Sequence, residues 1–198
     1  MADQHPSPIE RGLDDAIALA AWLRDLERSS GAIAAIADHL ARCVAGGGRL
    51  LTCGNGGSLC DAMHFAEELS GRFRDDRPAI AAQSMGDATH LTCVANDYGF
   101  ERIFARGVEA WGKAGDALVV FSTSGKSPNL IAAVEVARAR GLSVVGLLGR
   151  DGGPLRTACD HVIVVPGTTS DRIQEVHIKI VHLLIELIEE RLFKGGRV

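Results

Sequence analysis

The chain has 198 residues, 46% hydrophobic and 23% charged, with a formal net charge of −4 and a pI near 6.0. This length fits one globular domain, residues 1–198, with room for a substantial core. The acidic balance offers no basic face for nucleic acid or anionic lipid, so an anionic ligand has to be held by local dipoles and a few side chains. No uncharged apolar run approaches a bilayer span, and the polar, net acidic start from Met1 to Asp15 reads as neither signal peptide nor membrane anchor. Cys43, Cys53, Cys60, Cys93 and Cys159 are odd in number and contain no C-x-x-C pair. They read as reduced core thiols of a cytoplasmic protein.

Ile9, Leu13, Ile17, Ala20, Ala21, Leu23 and Leu26 recur at helical spacing over residues 9–28, and Ile33, Ile36, Leu40 and Val44 repeat the pattern over 32–45. Residues 1–47 are therefore expected to be an N-terminal helical arm. Gly46 to Gly48 release the chain into a strand, Arg49 to Cys53, which runs into a glycine-rich turn at Gly54, Gly56 and Gly57. Ser58 then opens a helix carrying Asp61, His64 and Glu68.

Two kinds of site fall within that one helix length. Glycines let backbone N–H groups approach a ligand closely, and the helix N-terminus adds its positive dipole end, so the turn suits a phosphate. His64 and Glu68 share a face four residues apart, which suits metal ligation or acid/base work beside the bound compound. The dinucleotide fingerprint G-x-G-x-x-G fails because Leu59 stands where the third glycine belongs, which excludes a nucleotide cofactor of that type.

Gly71 closes the helix, Ala79 to Gln83 is a weak strand candidate, and Ala88 to Trp111 reads mainly as helix broken near Asn96 to Gly99. A second strand-turn-helix unit follows: Ala117 to Phe121, the turn Ser122 to Ser127, and a helix from Asn129 to Arg140. Gly125-Lys126-Ser127 resembles the end of a nucleotide P-loop, but Val120 occupies the position of its first glycine. What remains is four hydroxyls, Ser122, Thr123, Ser124 and Ser127, suited to phosphate oxygens and sugar hydroxyls. Strands at Val144 to Leu148 and Val162 to Val165 complete the alternation. The pattern predicts an α/β fold, a three-layer αβα sandwich around a parallel sheet of about five strands, with ligands at the strands' carboxyl ends.

The last helix, from about Ser170 to Phe193, is apolar around most of its circumference, and part of its burial is expected against another subunit. Glu175, Lys179, His182, Glu186 and Glu189 form one narrow polar stripe with Gln174 at its edge, where this helix can carry chemistry. His182 lies in the stripe, whereas His177 leans toward the apolar side.

The run Cys53 to Ser58, Asp61 to Leu69, Gly71-Arg72-Phe73, Asn96-Asp97, Ser122 to Gly125, and Asp171 to Glu175 through His182 closely resembles the phosphoheptose isomerase family of the sugar-isomerase (SIS) domain superfamily. The resemblance covers nearly the whole chain. One departure is Lys126, where relatives usually have Asn. The resemblance implies a flavodoxin-like or Rossmann-like SIS fold and a homotetramer with sites formed between subunits. It implies conversion of D-sedoheptulose 7-phosphate to D-glycero-D-manno-heptose 7-phosphate through a cis-enediol, the first step toward nucleotide-activated heptose for bacterial surface polysaccharide.

By matching positions, the same resemblance implies Glu68 and His182 as acid/base groups. Phosphate and sugar would be bound by Asn55, Gly56, Gly57, Ser58, Glu68, Arg72, Asn96, Asp97, Ser122, Thr123, Ser124, Ser127 and Gln174. One zinc per subunit would be held by His64, Glu68, Gln174 and His182. The alternative from another functional class is a binding scaffold such as the replication-initiator-associating proteins that share this fold. The complete His64, Glu68, Gln174, His182 set favours the isomerase.

Overall fold

The structure is a computed structural model that describes residues 6–193. Helix α1 (Pro8–Ser30) begins with a reciprocal cap: Ser7 Oγ accepts from Glu10 N at 3.1 Å and Glu10 Oε2 accepts from Ser7 N at 2.6 Å. Gly31, left-handed at φ 61°, turns the chain into α2 (Ala32–Ala45). The alternation then runs β1 (Leu50–Gly54), α3 (Gly57–Ser70), β2 (Ala82–Ser84), α4 (Ala88–Tyr98), a 3-10 turn (Phe100–Arg102), α5 (Ile103–Trp111) and β3 (Ala117–Ser122). It ends with α6 (Pro128–Ala139), β4 (Ser143–Gly149), α7 (Leu155–Ala158), β5 (His161–Val165) and α8 (Ser170–Phe193).

All pairings are parallel, in the order β2-β1-β3-β4-β5. The central strands are buried on both faces, which is why they read as unbroken apolar runs. Side chains alternate between two half-cores: Val119 and Phe121 of β3 face α2, α3 and α8, while Leu118 and Val120 face α5 and α6. Phe65 of α3 meets Phe121 edge-on, ring centroids 6.5 Å apart. Truncating such a buried ring to Ala costs about 3–5 kcal/mol and would loosen α3 from the sheet.

Strand order reverses between β1 and β3, the one place where connections leave on opposite sides and a crevice opens at the carboxyl ends. The two polar turns of the sequence follow these two strands.

Two expectations, on the second strand and on the cysteines, need correction. The weak strand at Ala79 to Gln83 is the three-residue edge strand β2 at Ala82–Ser84, because only these residues pair with β1. Most of the apolar surface of α8 is covered by its own chain: Ile173, Val176, Ile180, Val181, Leu184, Ile185 and Ile188 are buried against the sheet and α1 to α3, and the polar-stripe residue Glu189 is buried with them, while Ile178, Leu183 and Leu187 are only partly buried. The uncovered apolar stripe lies on α1, where Ile9, Leu13 and Ile17 are 75%, 61% and 68% exposed. The cysteines are not uniformly core thiols, since Cys60 and Cys93 are exposed. Burial pushes the thiols of Cys43 and Cys159 up to about 11 and about 12. Among the described residues no helix is long and apolar enough to cross a membrane.

Candidate active site

The turn between β1 and α3 approaches α8 so closely that a side chain at Gly57 would meet the Gln174 amide at 2.6 Å. A larger residue there would have to displace the end of the Gln174 side chain from its place beside Ser58. The turn after β3 needs glycine for both space and conformation: Gly125 has φ 64°, and a Cβ would lie 1.8 Å from the Gly152 carbonyl oxygen. Asn55 and Asn129 exchange amide hydrogen bonds of 3.0 and 2.8 Å, bracing one turn against the other. Thr52 Oγ1 donates to Ala62 O at 2.7 Å, tying β1 to the body of α3.

Between the turns lies a cavity of about 180 Å³ lined by the hydroxyls of Ser58, Ser122, Thr123, Ser124, Ser127 and Ser170 and the amides of Asn55 and Gln174. No charged side chain lines it. Its attraction for an anion comes from helix ends: Ser58 stands in the first turn of α3, Ser127 is the N-cap of α6, and Ser170 opens α8. Three N-termini thus meet on one small polar cavity, and each presents unpaired N–H groups and a positive dipole end.

The hydroxyls also order the turn itself: Ser122 Oγ accepts from Gly125 N at 2.9 Å, Ser124 Oγ accepts from Lys126 N at 3.2 Å, and Thr123 and Ser170 hydroxyls lie 3.1 Å apart. The Lys126 ammonium is outside the cavity, paired with Asp151 at 3.0 Å on exposed surface.

Farther along α3 and α8 lies a cluster of different character. His64 Nε2 is 3.0 Å from His182 Nε2 and 3.5 Å from Glu68 Oε1. Ligand atoms of the three residues all fall within 4.8 Å of one another. Two imidazoles and a carboxylate form a donor set that a divalent metal such as zinc takes, and two nitrogens on one tetrahedral zinc stand about 3.3 Å apart. Burial, followed by the neighbouring His64, holds the His182 imidazolium pKa below its usual value. Burial pushes the Asp61 carboxyl up to about 6, one turn before His64, and its Oδ2 has no hydrogen-bond partner.

His177 is placed otherwise. It is fully buried, and its Nε2 donates to the Leu148 carbonyl at 3.1 Å. Gln174 joins the cavity, with its amide 3.3 Å from Ser58 Oγ. Asn96 and Asp97 are exposed at the end of α4, hydrogen-bonded to each other at 2.8 Å, and Arg72 is exposed just beyond α3; none of the three lines the cavity. Sequence reasoning missed Ser170 and Asn129. Ser170 carried the signal of a hydroxyl opening a helix, whereas nothing local marks Asn129 as a brace.

The two features occupy one pair of helices. Ser58 meets Gln174 and His64 meets His182, so α3 and α8 run parallel, with the polar cavity at their N-terminal ends and the His/Glu/His cluster farther along. From Gln174 to His182 the rise is about 12 Å.

The SIS domain family matches residues 17–149. A phosphoheptose isomerase of Fusobacterium nucleatum is 56% identical over 163 residues, 82% of this chain and 84% of the relative. One of Klebsiella pneumoniae is 52% identical over 178 residues, 89% of this chain and 92% of the relative. The chain belongs to the phosphoheptose isomerases of the SIS domain family. The solved structure of phosphoheptose isomerase GmhA from Neisseria gonorrhoeae matches with a TM-score of 0.85 at 35% identity, covering 92% of this chain and 97% of that one.

Proposed function

We propose that the protein interconverts D-sedoheptulose 7-phosphate and D-glycero-D-manno-heptose 7-phosphate. The observation that carries this is the pair of parallel helices just described, with an uncharged, N-terminus-lined cavity at one end for the phosphate on C7 and a His/Glu/His cluster farther along for C1 and C2. Family membership supports the same reading and does not favour the scaffold alternative.

Moving a carbonyl from C2 to C1 requires a proton to leave C1 and another to reach C2. Glu68 is the base: its carboxylate takes the C1 proton, the C–H electrons form the C1=C2 double bond, and O2 takes up a proton as the cis-enediol forms. The proton then returns from Glu68 to C2, while O1 loses its hydroxyl proton and becomes the aldehyde oxygen. His182, held beside Glu68 and His64 and favouring its neutral form, moves the protons on O1 and O2.

His64, Glu68 and His182 are the residues that would hold zinc, one ion per chain. When bound, zinc would polarise the carbonyl and stabilise the charge that develops on O1 and O2. Gln174, the fourth ligand implied by the family resemblance, has its amide on Ser58 in this conformation, so joining the cluster would require it to swing along α8.

Exposed Asn96, Asp97 and Arg72 fit a site completed by a neighbouring chain, and the exposed Ile9, Leu13 and Ile17 stripe fits the homotetramer expected from the resemblance. A phosphorylated substrate and five unpaired cysteines fit the cytoplasm. The product is an aldose phosphate suited to later nucleotide activation for a surface polysaccharide. The test is to incubate purified protein with sedoheptulose 7-phosphate and follow aldose formation by NMR. Absence of turnover on this ketose would end the proposal.

A further inference from the structure

Residues 73–77, which follow α3, have no role in the chemistry above, yet they contact both helices that carry the His/Glu/His cluster. Phe73 stacks on the His182 imidazole with ring centroids 5.6 Å apart and planes inclined by 27°. Arg74 sets its guanidinium 5.0 Å from the centre of the Phe73 ring and pairs with Glu186. Arg77 pairs with Glu189 at 2.8 Å, the two side chains only 5% and 8% exposed. Positions 182, 186 and 189 form one face of α8, and they are covered in order by residues 73, 74 and 77.

Arg77 also closes α3. Its Nη1 donates to Leu69 O at 2.7 Å and Gly71 O at 2.9 Å, and its Nη2 donates to Glu68 O at 2.6 Å. The last carbonyls of a helix have no partner within it, and a cation there is favoured by the dipole. One of those carbonyls belongs to Glu68 itself. The residue whose carboxylate faces His64 is thus held through its main chain by a guanidinium that Glu189 anchors to α8. A buried ion pair adds little net stability, because desolvation offsets the attraction. A planar fork with all its nitrogens engaged does fix geometry, and a displacement of about 1 Å in a reacting group costs on the order of 10²-fold in rate.

We propose that residues 73–77 form a positioning strap, in which Phe73 and Arg77 set His182 and Glu68 against each other for proton transfer without touching the substrate. The proposal rests on the isomerase reading with Glu68 and His182 as its working groups.

Arg77→Met combined with Glu189→Met tests it, because both buried charges leave together and neither is stranded; Phe73→Ala tests the stack, with Phe73→Tyr as the conservative rescue. The double variant should melt close to the parent. Its KM should stay within about threefold, since the phosphate cavity lies at the other ends of α3 and α8. Its kcat should fall roughly 10- to 100-fold. Zinc affinity of the metal-free protein, measured by competition with a chromophoric chelator, should weaken by a similar roughly 10- to 100-fold, as when the groups that orient ligands are lost. Phe73→Ala should reproduce the kcat loss, and Phe73→Tyr should restore it. Folded variants with unchanged kcat and unchanged zinc affinity overturn the strap, whatever the parent does. A parent that never turns over the ketose, but whose zinc affinity drops in these variants, removes the isomerase reading and leaves the strap standing.

Discussion

Glu68 illustrates how a residue type acquires a role from its surroundings. Its carboxylate lies beside His64, its side chain is only 17% exposed, and its carbonyl is fastened by Arg77. Glu68→Gln keeps the shape and removes the base, so kcat should fall by roughly 10²- to 10⁴-fold with the fold intact by circular dichroism. Near-parental turnover would remove Glu68 from the mechanism. His177 is the contrasting case. Because its Nε2 donates to a carbonyl, its Nδ1 is a bare lone pair buried without a partner, and protonation would place an unsatisfied N–H in the core. Burial accordingly lowers its pKa from 6.5 to about 4. The unfolded chain takes up this proton first as pH falls, so the stability tied to a neutral His177 is full above about pH 6.5 and is lost toward pH 4. The loss amounts to roughly 3 kcal/mol. Urea unfolding at pH 7 and pH 5 should show a smaller pH loss in His177→Leu than in the parent; equal losses would refute the assignment.

Among the elements, the proposal gives binding to the turns and chemistry to the helices. The β3–α6 turn is the least tolerant, since Gly125 combines a left-handed backbone with a carbonyl already occupying the space of a Cβ. Gly125→Ala should force the turn away from Gly152, lowering the melting temperature and raising KM for the sugar phosphate by at least about tenfold. An unchanged KM would show that the turn does not hold the phosphate. Ser124→Ala is milder. It removes one hydroxyl that holds ground and transition states alike, so steady-state kinetics should show a raised KM with kcat nearly kept. A large fall in kcat at constant KM would contradict the binding role.

For the whole molecule, the open question is what covers α1. Ile9, Leu13 and Ile17 are spaced four apart on one face and stand in solvent, while most of the apolar surface of α8 is covered within the chain. If α1 carries the contacts of the expected tetramer, Leu13→Glu with Ile17→Glu should reduce the assembly to smaller species by light scattering, because buried carboxylates without partners oppose association. An unchanged mass would place the interface elsewhere. Asn96, Asp97 and Arg72 supply a second readout, since activity should decline with the assembly if a neighbouring chain completes the site.

The alternation of short apolar runs with helical patterns was enough for the α/β class, the parallel sheet and both ligand turns, because these depend on local periodicity and on glycines at turns. The shared face of His64 and Glu68 is likewise a local property of helix geometry. Tertiary structure alone decided the rest. The reversal of strand order between β1 and β3 brings two turns nearly seventy residues apart in sequence onto one crevice. Ser170 joins them only because α8 starts at that edge. Helix facing already favoured His182 over His177, but only the parallel course of α8 beside α3 brings it against His64. The apolar girth of α8 does not by itself divide its burial between its own chain and a partner subunit, because a helix packed between a sheet and three helices has the same composition as one at an interface. Arg77 and Glu189 lie 112 residues apart, and no pattern along the chain joins them. Their pairing exists because packing brings the end of α3 against α8, where an arginine finds the carbonyls of Glu68, Leu69 and Gly71 and a buried carboxylate.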